Sequence, residues 1–165
     1  MSLEWKVENG EWRTLAQQRE AAQRLLSRMV GEGILVEHNG KGAPYLPQRP
    51  DLQVSISHCR TAVAVAVSTC GPVGIDVECR RKVGDSLMQR VCSPAEYAGL
   101  QASADTILDF LRLWTRKEAV LKLRGTGIQG FGSMVHALED KNIIVEELPC
   151  GIPDTVAALA TVRDE

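Results

Sequence analysis

Several features that would assign the chain to a specialised class of protein are missing from its 165 residues. No run approaches the roughly 20 apolar residues of a membrane-spanning helix, and no basic and apolar secretory signal opens the chain. Basic residues are not in excess, since 19 Lys and Arg stand against 21 Asp and Glu, which argues against a general nucleic-acid binder. The five cysteines form no CxxC pair, so we expect thiols in a reducing compartment. The sequence therefore predicts a cytoplasmic protein that contacts neither membrane nor nucleic acid.

The apolar residues that are present repeat with helical spacing in some segments and alternate or run continuously in others. Helical spacing predicts helices over about 14–30 and 106–123, and a Ser-Pro-Ala-Glu capping box predicts another that begins at Ser93. Strands are predicted over residues 34–36, 54–68, 73–78, 135–138, 143–148 and 156–161. Because a helix precedes strands in each half, we expect a mixed α+β fold with antiparallel sheet.

Two acidic residues share one face of the strand predicted at 73–78. In the segment GIDVE, Ile75 and Val77 point to one side, and Asp76 and Glu78 point to the other. The two carboxylates would lie about 7 Å apart and would repel each other. Either they face open water, which is the simpler explanation of this pair taken alone, or a cation lies between them.

A third carboxylate belongs to the helix predicted at 106–123. Glu118 and Lys122 lie one turn apart on one helical face, and Trp114 lies one turn before Glu118 on the same face. An exposed ion pair is one explanation, but the large indole indicates a face turned partly towards the core. Three carboxylates without clustered His or Cys ligands suit a hard cation that binds phosphate oxygens, namely Mg²⁺.

Four short segments resemble, in their order, the pattern of the phosphopantetheinyl transferases. GIDVE at 74–78 and WTRKEAVLK at 114–122 resemble the paired signature of that family. SISH at 55–58 resembles its serine-histidine segment, and VCSPAEY at 91–97 resembles its aromatic-Ser-x-x-Glu-Tyr segment. The serine-histidine segment makes the chain more similar to the longer, pseudo-duplicated type, which activates surfactin synthetase, than to the short trimeric holo-carrier synthases.

This resemblance implies a fold of two similar lobes, each with a helix packed on a small antiparallel sheet. Residues 1–72 would form the lobe on the coenzyme A nucleotide side, and residues 73–165 the lobe on the metal and catalytic side. The implied enzyme is a holo-carrier synthase-type transferase that depends on Mg²⁺, with Mn²⁺ as an alternative ion. It moves the phosphopantetheine of its co-substrate coenzyme A onto a serine of an apo acyl-, peptidyl- or polyketide carrier protein and releases 3′,5′-ADP. A fused two-lobe chain would work as a monomer.

The resemblance also implies roles for the residues of the metal and catalytic side. The metal ligands would be Asp76, Glu78 and Glu118. Glu118, or a water that it orients, would also take the proton from the carrier serine. Lys122 would stabilise the α-phosphate of the departing 3′,5′-ADP, and Lys117 would help from a neighbouring position.

On the nucleotide side, the resemblance implies that Ser57 and His58 hold the 3′-phosphate of coenzyme A. Lys41 would contact the pyrophosphate, although Gly42 and Ala43 separate it from Pro44, whereas in the family the Pro commonly follows the Lys directly. A solvated turn lysine is the alternative. Arg24 resembles a helix arginine that reaches the nucleotide, with an ordinary surface arginine as the alternative. Glu96 would be the capping-box carboxylate, with a remote role near the metal.

Two other functions stay open on the sequence alone. The chain could be a non-catalytic scaffold or accessory relative of the same fold, or a Mg²⁺-dependent nucleotide phosphohydrolase. A scaffold has no need of three converging acids, which favours an enzyme. Basic residues 80–82 and Arg90 are candidate contacts for an acidic carrier protein, or they are solvated charges.

Overall fold

The first half of the chain folds as a strand, a helix and a pair of strands, with a short hairpin before the pair. The computed structural model describes residues 2–126 and 132–163. Thr14 begins the helix with a capping box, as the helical spacing predicts. The three longer strands form an antiparallel sheet in the order β1-β5-β4. The elements are β1 (Leu3–Asn9), α1 (Leu15–Val30), β2 (Glu37–His38), β3 (Pro44–Tyr45), β4 (Gln53–His58) and β5 (Ala62–Ser68).

The second half repeats this connectivity with more helices inserted. Its strands form a second antiparallel sheet in the order β6-β8-β7, so each half places its last strand between the other two. The predicted α+β class is confirmed, whereas the division into two lobes at residue 72 stays a prediction. The elements are β6 (Val73–Cys79), α2 (Asp85–Val91), α3 (Pro94–Gln101), α4 (Thr106–Arg124), α5 (Gly132–Val135), a 3₁₀ turn (Ala137–Glu139), β7 (Ile143–Leu148) and β8 (Thr155–Val162).

Strand β5 shows how the layers stack. Its three valines pack against α1, and its three alanines pack against Ile75 and Val77 of β6 and Leu159 of β8. Helix α4 covers the other face of the second sheet through Ala119 and Val120. The layers therefore run helix, sheet, sheet, helix, and burial on both faces explains the continuous apolar sequence of β5.

The structure differs from the prediction in three places. Residues 34–36 form no strand, because Ile34 and Val36 pack irregularly on the core beneath α1, and pairing starts only at residue 37. Residues 135–138 are helical instead of extended, since the buried Met134 and Ala137 lie three residues apart, which is helical spacing. Strand β1 was not predicted. It is an edge strand whose side chains are mostly exposed, so its apolar signal is weak.

The predicted end of helix α4 at Gly125 is confirmed, because Gly125 adopts the left-handed conformation with φ of 63°. Gly127, the second predicted stop, lies outside the described residues. None of the helices in the described ranges has the length and apolar composition needed to cross a bilayer.

Candidate functional site

The site forms where β4, an edge strand of the first sheet, meets β6, an edge strand of the second. Two serine side chains connect these edges. The amide of Ile75 donates to Ser55 Oγ at 3.0 Å, and the amide of Val77 donates to Ser57 Oγ at 3.2 Å. Ser57 Oγ in turn donates to Asp76 Oδ1 at 2.8 Å. The serines therefore satisfy backbone donors that the second sheet leaves unpaired at its edge, and they join the two halves.

Helix α4 lies very close to β6 at Gly74. A Cβ atom placed on Gly74 would lie 1.9 Å from the carbonyl oxygen of Ala119 and 2.6 Å from the amide nitrogen of Leu123. A residue with any side chain would push the helix away, so the glycine of GIDVE is needed for packing. The close approach places the turn that carries Glu118 and Lys122 over the acidic face of the strand.

The ammonium group of Lys122 bridges the two halves at this point. Its Nζ donates to Asp76 Oδ1 at 2.7 Å, to the carbonyl of Ile75 at 3.1 Å and to the carbonyl of Ile56 at 3.3 Å. Asp76 is only 6 % exposed. The predicted neighbours on α4 and β6 are thus brought together, with Lys122 paired to the strand acid instead of to Glu118.

Two carboxylate oxygens of this cluster find no hydrogen-bond partner among the residues that the structure describes. Asp76 Oδ2 and Glu118 Oε1 are buried and accept no bond from the described residues. Burial raises the pKa of Glu118 to about 7, and the Asp76 carboxylate adds to the rise while Lys122 opposes it. Buried anionic oxygens without donors are costly, so this pair fits a cation, and its all-oxygen donor set fits Mg²⁺.

Glu78, the third predicted ligand, interacts with an arginine instead. Its carboxylate accepts from Arg81 Nε at 3.3 Å and from Arg81 Nη2 at 3.5 Å, and the guanidinium lies 5.8 Å from the ring centre of Trp114. Burial raises the pKa of Glu78, while Arg81 opposes the rise. Within residues 2–126 and 132–163, no group of three or more His, Cys, Asp or Glu side chains forms a metal site as placed. Glu78 as placed is turned to Arg81, and the three-acid metal site stays a prediction.

A cleft of about 910 Å³ opens beside these residues and takes its walls from both halves. This volume lies in the range of sites for cofactor-sized ligands. Lys41 lines the cleft from the hairpin region, so the predicted position of this residue near a ligand is compatible with the structure. The cleft is also lined by Arg19, Ala22, Ser55, His58, Glu118 and Lys122.

Helix α1 presents a different arginine to the cleft from the one predicted. Arg24 pairs with Glu20 at 2.7 Å on an exposed face and does not line the cleft. Arg19 does line it, next to His58, whose pKa is lowered by burial first and then by Lys122 and Arg19. Arg19 lies three residues before Ala22, which also lines the cleft, so the two residues share one face of α1. Arg19 is therefore the arginine of α1 that lies at the cleft, and a contact of Arg24 with the nucleotide stays a prediction.

His58 is held by a side chain that the sequence reasoning missed. Its Nδ1 lies 3.0 Å from Gln18 Oε1 of α1, and an amide oxygen can only accept, so Nδ1 carries the hydrogen. In the neutral ring, Nε2 is then the free nitrogen. Helix α1 therefore orients the histidine as well as lining the cleft with a cation.

Lys117, predicted as a catalytic residue, lies away from the cleft. Its fully buried ammonium group donates to the carbonyl of Val91 at 2.8 Å, to Glu96 Oε2 at 2.7 Å and to the carbonyl of Val135 at 3.3 Å. Neighbouring helical residues point about 100° apart, which explains why Lys117 and Glu118 diverge. The capping-box position of Glu96 is confirmed. Lys117 as placed holds α2, α3 and α5 together through its hydrogen bonds, which does not favour the predicted catalytic role.

Part of the basic run at 80–82 is already engaged in ion pairs. Arg80 donates to both Asp105 and Asp154, which fastens the end of β6 to the start of α4 and to the loop before β8. Arg81 is held by Glu78. A docking surface for a carrier protein at this run stays a prediction.

The protein is thus of the α+β class, with a cleft between two halves of like connectivity and with buried acids and a lysine beside the cleft. Comparison with known proteins gives the family. Residues 72–152 match the model of the 4′-phosphopantetheinyl transferase superfamily. The chain belongs to this superfamily, and the predicted resemblance is confirmed.

Three relatives illustrate how far the similarity extends. The chain is 36 % identical over 113 residues to a 4′-phosphopantetheinyl transferase of Bacillus subtilis, which covers 67 % of this chain and 50 % of that protein. It is 34 % identical over 121 residues to 4′-phosphopantetheinyl transferase psf-1 of Bacillus pumilus, covering 72 % and 52 %. Over 109 residues it is 33 % identical to 4′-phosphopantetheinyl transferase AcpT of Salmonella typhimurium, covering 64 % and 57 %. The chain thus spans about half the length of the curated relatives it matches.

Proposed function

We propose that this chain moves the phosphopantetheine group of coenzyme A onto a serine of an apo carrier protein and releases 3′,5′-ADP, with Mg²⁺ as the metal. Family membership supports the reaction class. The single observation that carries the proposal for this chain is the pair of buried carboxylate oxygens without partners, Asp76 Oδ2 and Glu118 Oε1, beside a cleft of cofactor size.

Asp76 and Glu118 would hold the ion, and Glu78 would join them on release from Arg81. When bound, Mg²⁺ supplies positive charge to the pyrophosphate oxygens of coenzyme A. Mn²⁺ has a similar preference for oxygen ligands and would substitute.

The remaining chemistry belongs to side chains of the chain itself. The carrier serine oxygen forms a bond to the phosphorus that bears the pantetheine arm, the bond from that phosphorus to the bridging oxygen breaks, and the electron pair leaves with 3′,5′-ADP. Glu118, directly or through a water, accepts the serine proton. Lys122 contributes its positive charge beside the departing phosphate.

Residues of the first half would bind the nucleotide portion of coenzyme A. Arg19 and Lys41 line the cleft on that side and offer cationic groups to phosphate. His58 also lines it, and its Nε2 would donate to a phosphate oxygen when the ring is protonated, because Nδ1 faces Gln18. Residues 1–72 would therefore recognise the nucleotide, while residues 73–165 carry the metal and the proton acceptor.

The test is a mass-spectrometric assay of apo acyl-, peptidyl- and polyketide carrier proteins incubated with the chain, coenzyme A and Mg²⁺. We expect at least one carrier to gain the phosphopantetheine mass, and 3′,5′-ADP to appear only with carrier present. Asp76→Asn keeps an acceptor for Ser57 and Lys122 but removes the charge, and it should abolish transfer. Glu146→Gln, an exposed acid on β7, is the matched control and should retain it. Equal release of 3′,5′-ADP without carrier would instead indicate a phosphohydrolase.

A further inference from the structure

The single hydroxyl hydrogen of Ser57 is donated inside the protein. Ser57 is 6 % exposed and, unlike Ser55 and His58 on the same strand, does not line the cleft. A serine hydroxyl has one hydrogen to donate. An ionised carboxylate can only accept, so at 2.8 Å the hydrogen is directed to Asp76 Oδ1, while the Ser57 oxygen accepts from the Val77 amide.

This arrangement leaves Ser57 no donor for a phosphate group. A phosphate oxygen needs a hydrogen donor, and the single hydrogen of Ser57 could reach one only by releasing Asp76. Without Ser57, Asp76 Oδ1 would keep only the bond from Lys122, while Oδ2 already has no donor among the described residues. Losing a donor to a buried carboxylate is unfavourable. The role that resemblance implies for Ser57, a contact to the 3′-phosphate of coenzyme A, is therefore in conflict with its hydrogen bonds.

We propose that Ser57 is a positioning residue, which orients Asp76 so that its unpartnered oxygen is available to the metal ion. This inference rests on the proposed function. Ser57 and Lys122 both donate to Oδ1 of the carboxylate, and Oδ2 is the oxygen left without a donor. Two donors from two different elements, β4 and α4, fix the rotation of the Asp76 side chain. The backbone bond from Val77 fixes the serine in turn.

Ser55 provides a matched comparison on the same strand. It accepts from the Ile75 amide at 3.0 Å, as Ser57 accepts from Val77. Among the hydrogen bonds of the described residues, none joins Ser55 to Asp76. Ser55→Ala therefore removes one bond between β4 and β6 without touching the carboxylate. Ser57→Ala removes a bond of the same kind together with the donor to Asp76.

The test measures Mn²⁺ affinity of wild-type protein, Ser55→Ala and Ser57→Ala in the presence of coenzyme A, without any carrier. Loss of a hydrogen bond to a metal-ligating carboxylate typically weakens metal binding about 10- to 100-fold. We expect that loss in Ser57→Ala and wild-type affinity in Ser55→Ala, although both should show faster amide exchange at the backbone group they release. Should Ser57→Ala fold poorly, Ser57→Cys keeps the approximate volume with a much weaker donor and gives the same comparison.

A second readout separates positioning from phosphate recognition. In the transfer assay, Ser57→Ala should change the KM for coenzyme A and for 3′-dephospho-coenzyme A by the same factor. A selective rise in the KM for coenzyme A, or unchanged Mn²⁺ affinity, would overturn the positioning role and leave the proposed function standing. A wild-type chain that binds no Mn²⁺ would overturn the metal site and the positioning role together.

Discussion

Replacing Gly74 by alanine tests whether the contact between α4 and β6 sets the geometry of the site. The added Cβ would lie 1.9 Å from the carbonyl oxygen of Ala119, whereas ordinary contact needs about 3.5 Å. The helix would have to move by roughly 1.5 Å, taking Glu118 and Lys122 with it. Overpacking of this kind costs about 1–3 kcal/mol of stability, and a shift of about 1 Å at reacting groups costs about 100-fold in rate.

The assay combines urea unfolding with the carrier-transfer rate, and Gly99→Ala is the matched control. Gly99 lies in α3, where an added Cβ meets nothing within 4 Å. Alanine there should stabilise the protein by up to about 1 kcal/mol through helix propensity and leave transfer unchanged. If Gly74→Ala kept both wild-type stability and wild-type rate, the helix would not be held against the strand as described.

Three further predictions concern the buried Lys117, the cleft residue Arg19 and the buried Glu118. Lys117→Met should lower the free energy of unfolding by about 3–5 kcal/mol, because Glu96 and two backbone carbonyls lose the ammonium group that donates to them. In the same urea titration, the control Lys82→Met, at an exposed position, should change the free energy of unfolding by less than about 0.5 kcal/mol. Arg19→Ala should raise the KM for coenzyme A about 10-fold through loss of a charged hydrogen bond, whereas Arg24→Ala should leave the KM unchanged; the opposite ranking would restore Arg24 to the site. As the pH rises from 4.5 to about 7, the metal-free protein should lose stability, because the raised pKa of Glu118 keeps its proton bound in the folded chain while the unfolded chain has already released it. Thermal melts of Glu118→Gln should show a smaller loss of stability across that range. Parallel curves of melting temperature against pH for the two proteins would contradict the raised pKa.

Sequence alone was sufficient where the evidence is local. The alternation in GIDVE predicts which side of β6 is acidic, and the 3.6-residue period places Glu118 one turn from Lys122. Both features depend only on the geometry of a single element, and the structure bears out the two faces of the strand. The capping box at Ser93 was predictable for the same reason.

Features that depend on contacts between elements could not be predicted in this way. Lys117 stands next to Glu118 in the sequence, but its partners lie in α2, α3 and α5, and no local pattern indicates them. The partner of Ser57 lies 19 residues away, across the contact between two sheet edges. The choice of Arg19 over Arg24 depends on which side of α1 faces the cleft, and the arginines alone do not reveal that side.

The central claim is that the unpartnered oxygens of Asp76 and Glu118 form one divalent-cation site beside the cleft. Isothermal titration of Mg²⁺ into the protein with coenzyme A present tests it most directly. We predict one ion bound per chain, with binding strongly weakened in both Asp76→Asn and Glu118→Gln and unchanged in the surface variant Glu146→Gln. Equal Mg²⁺ affinity in all four proteins would contradict the claim.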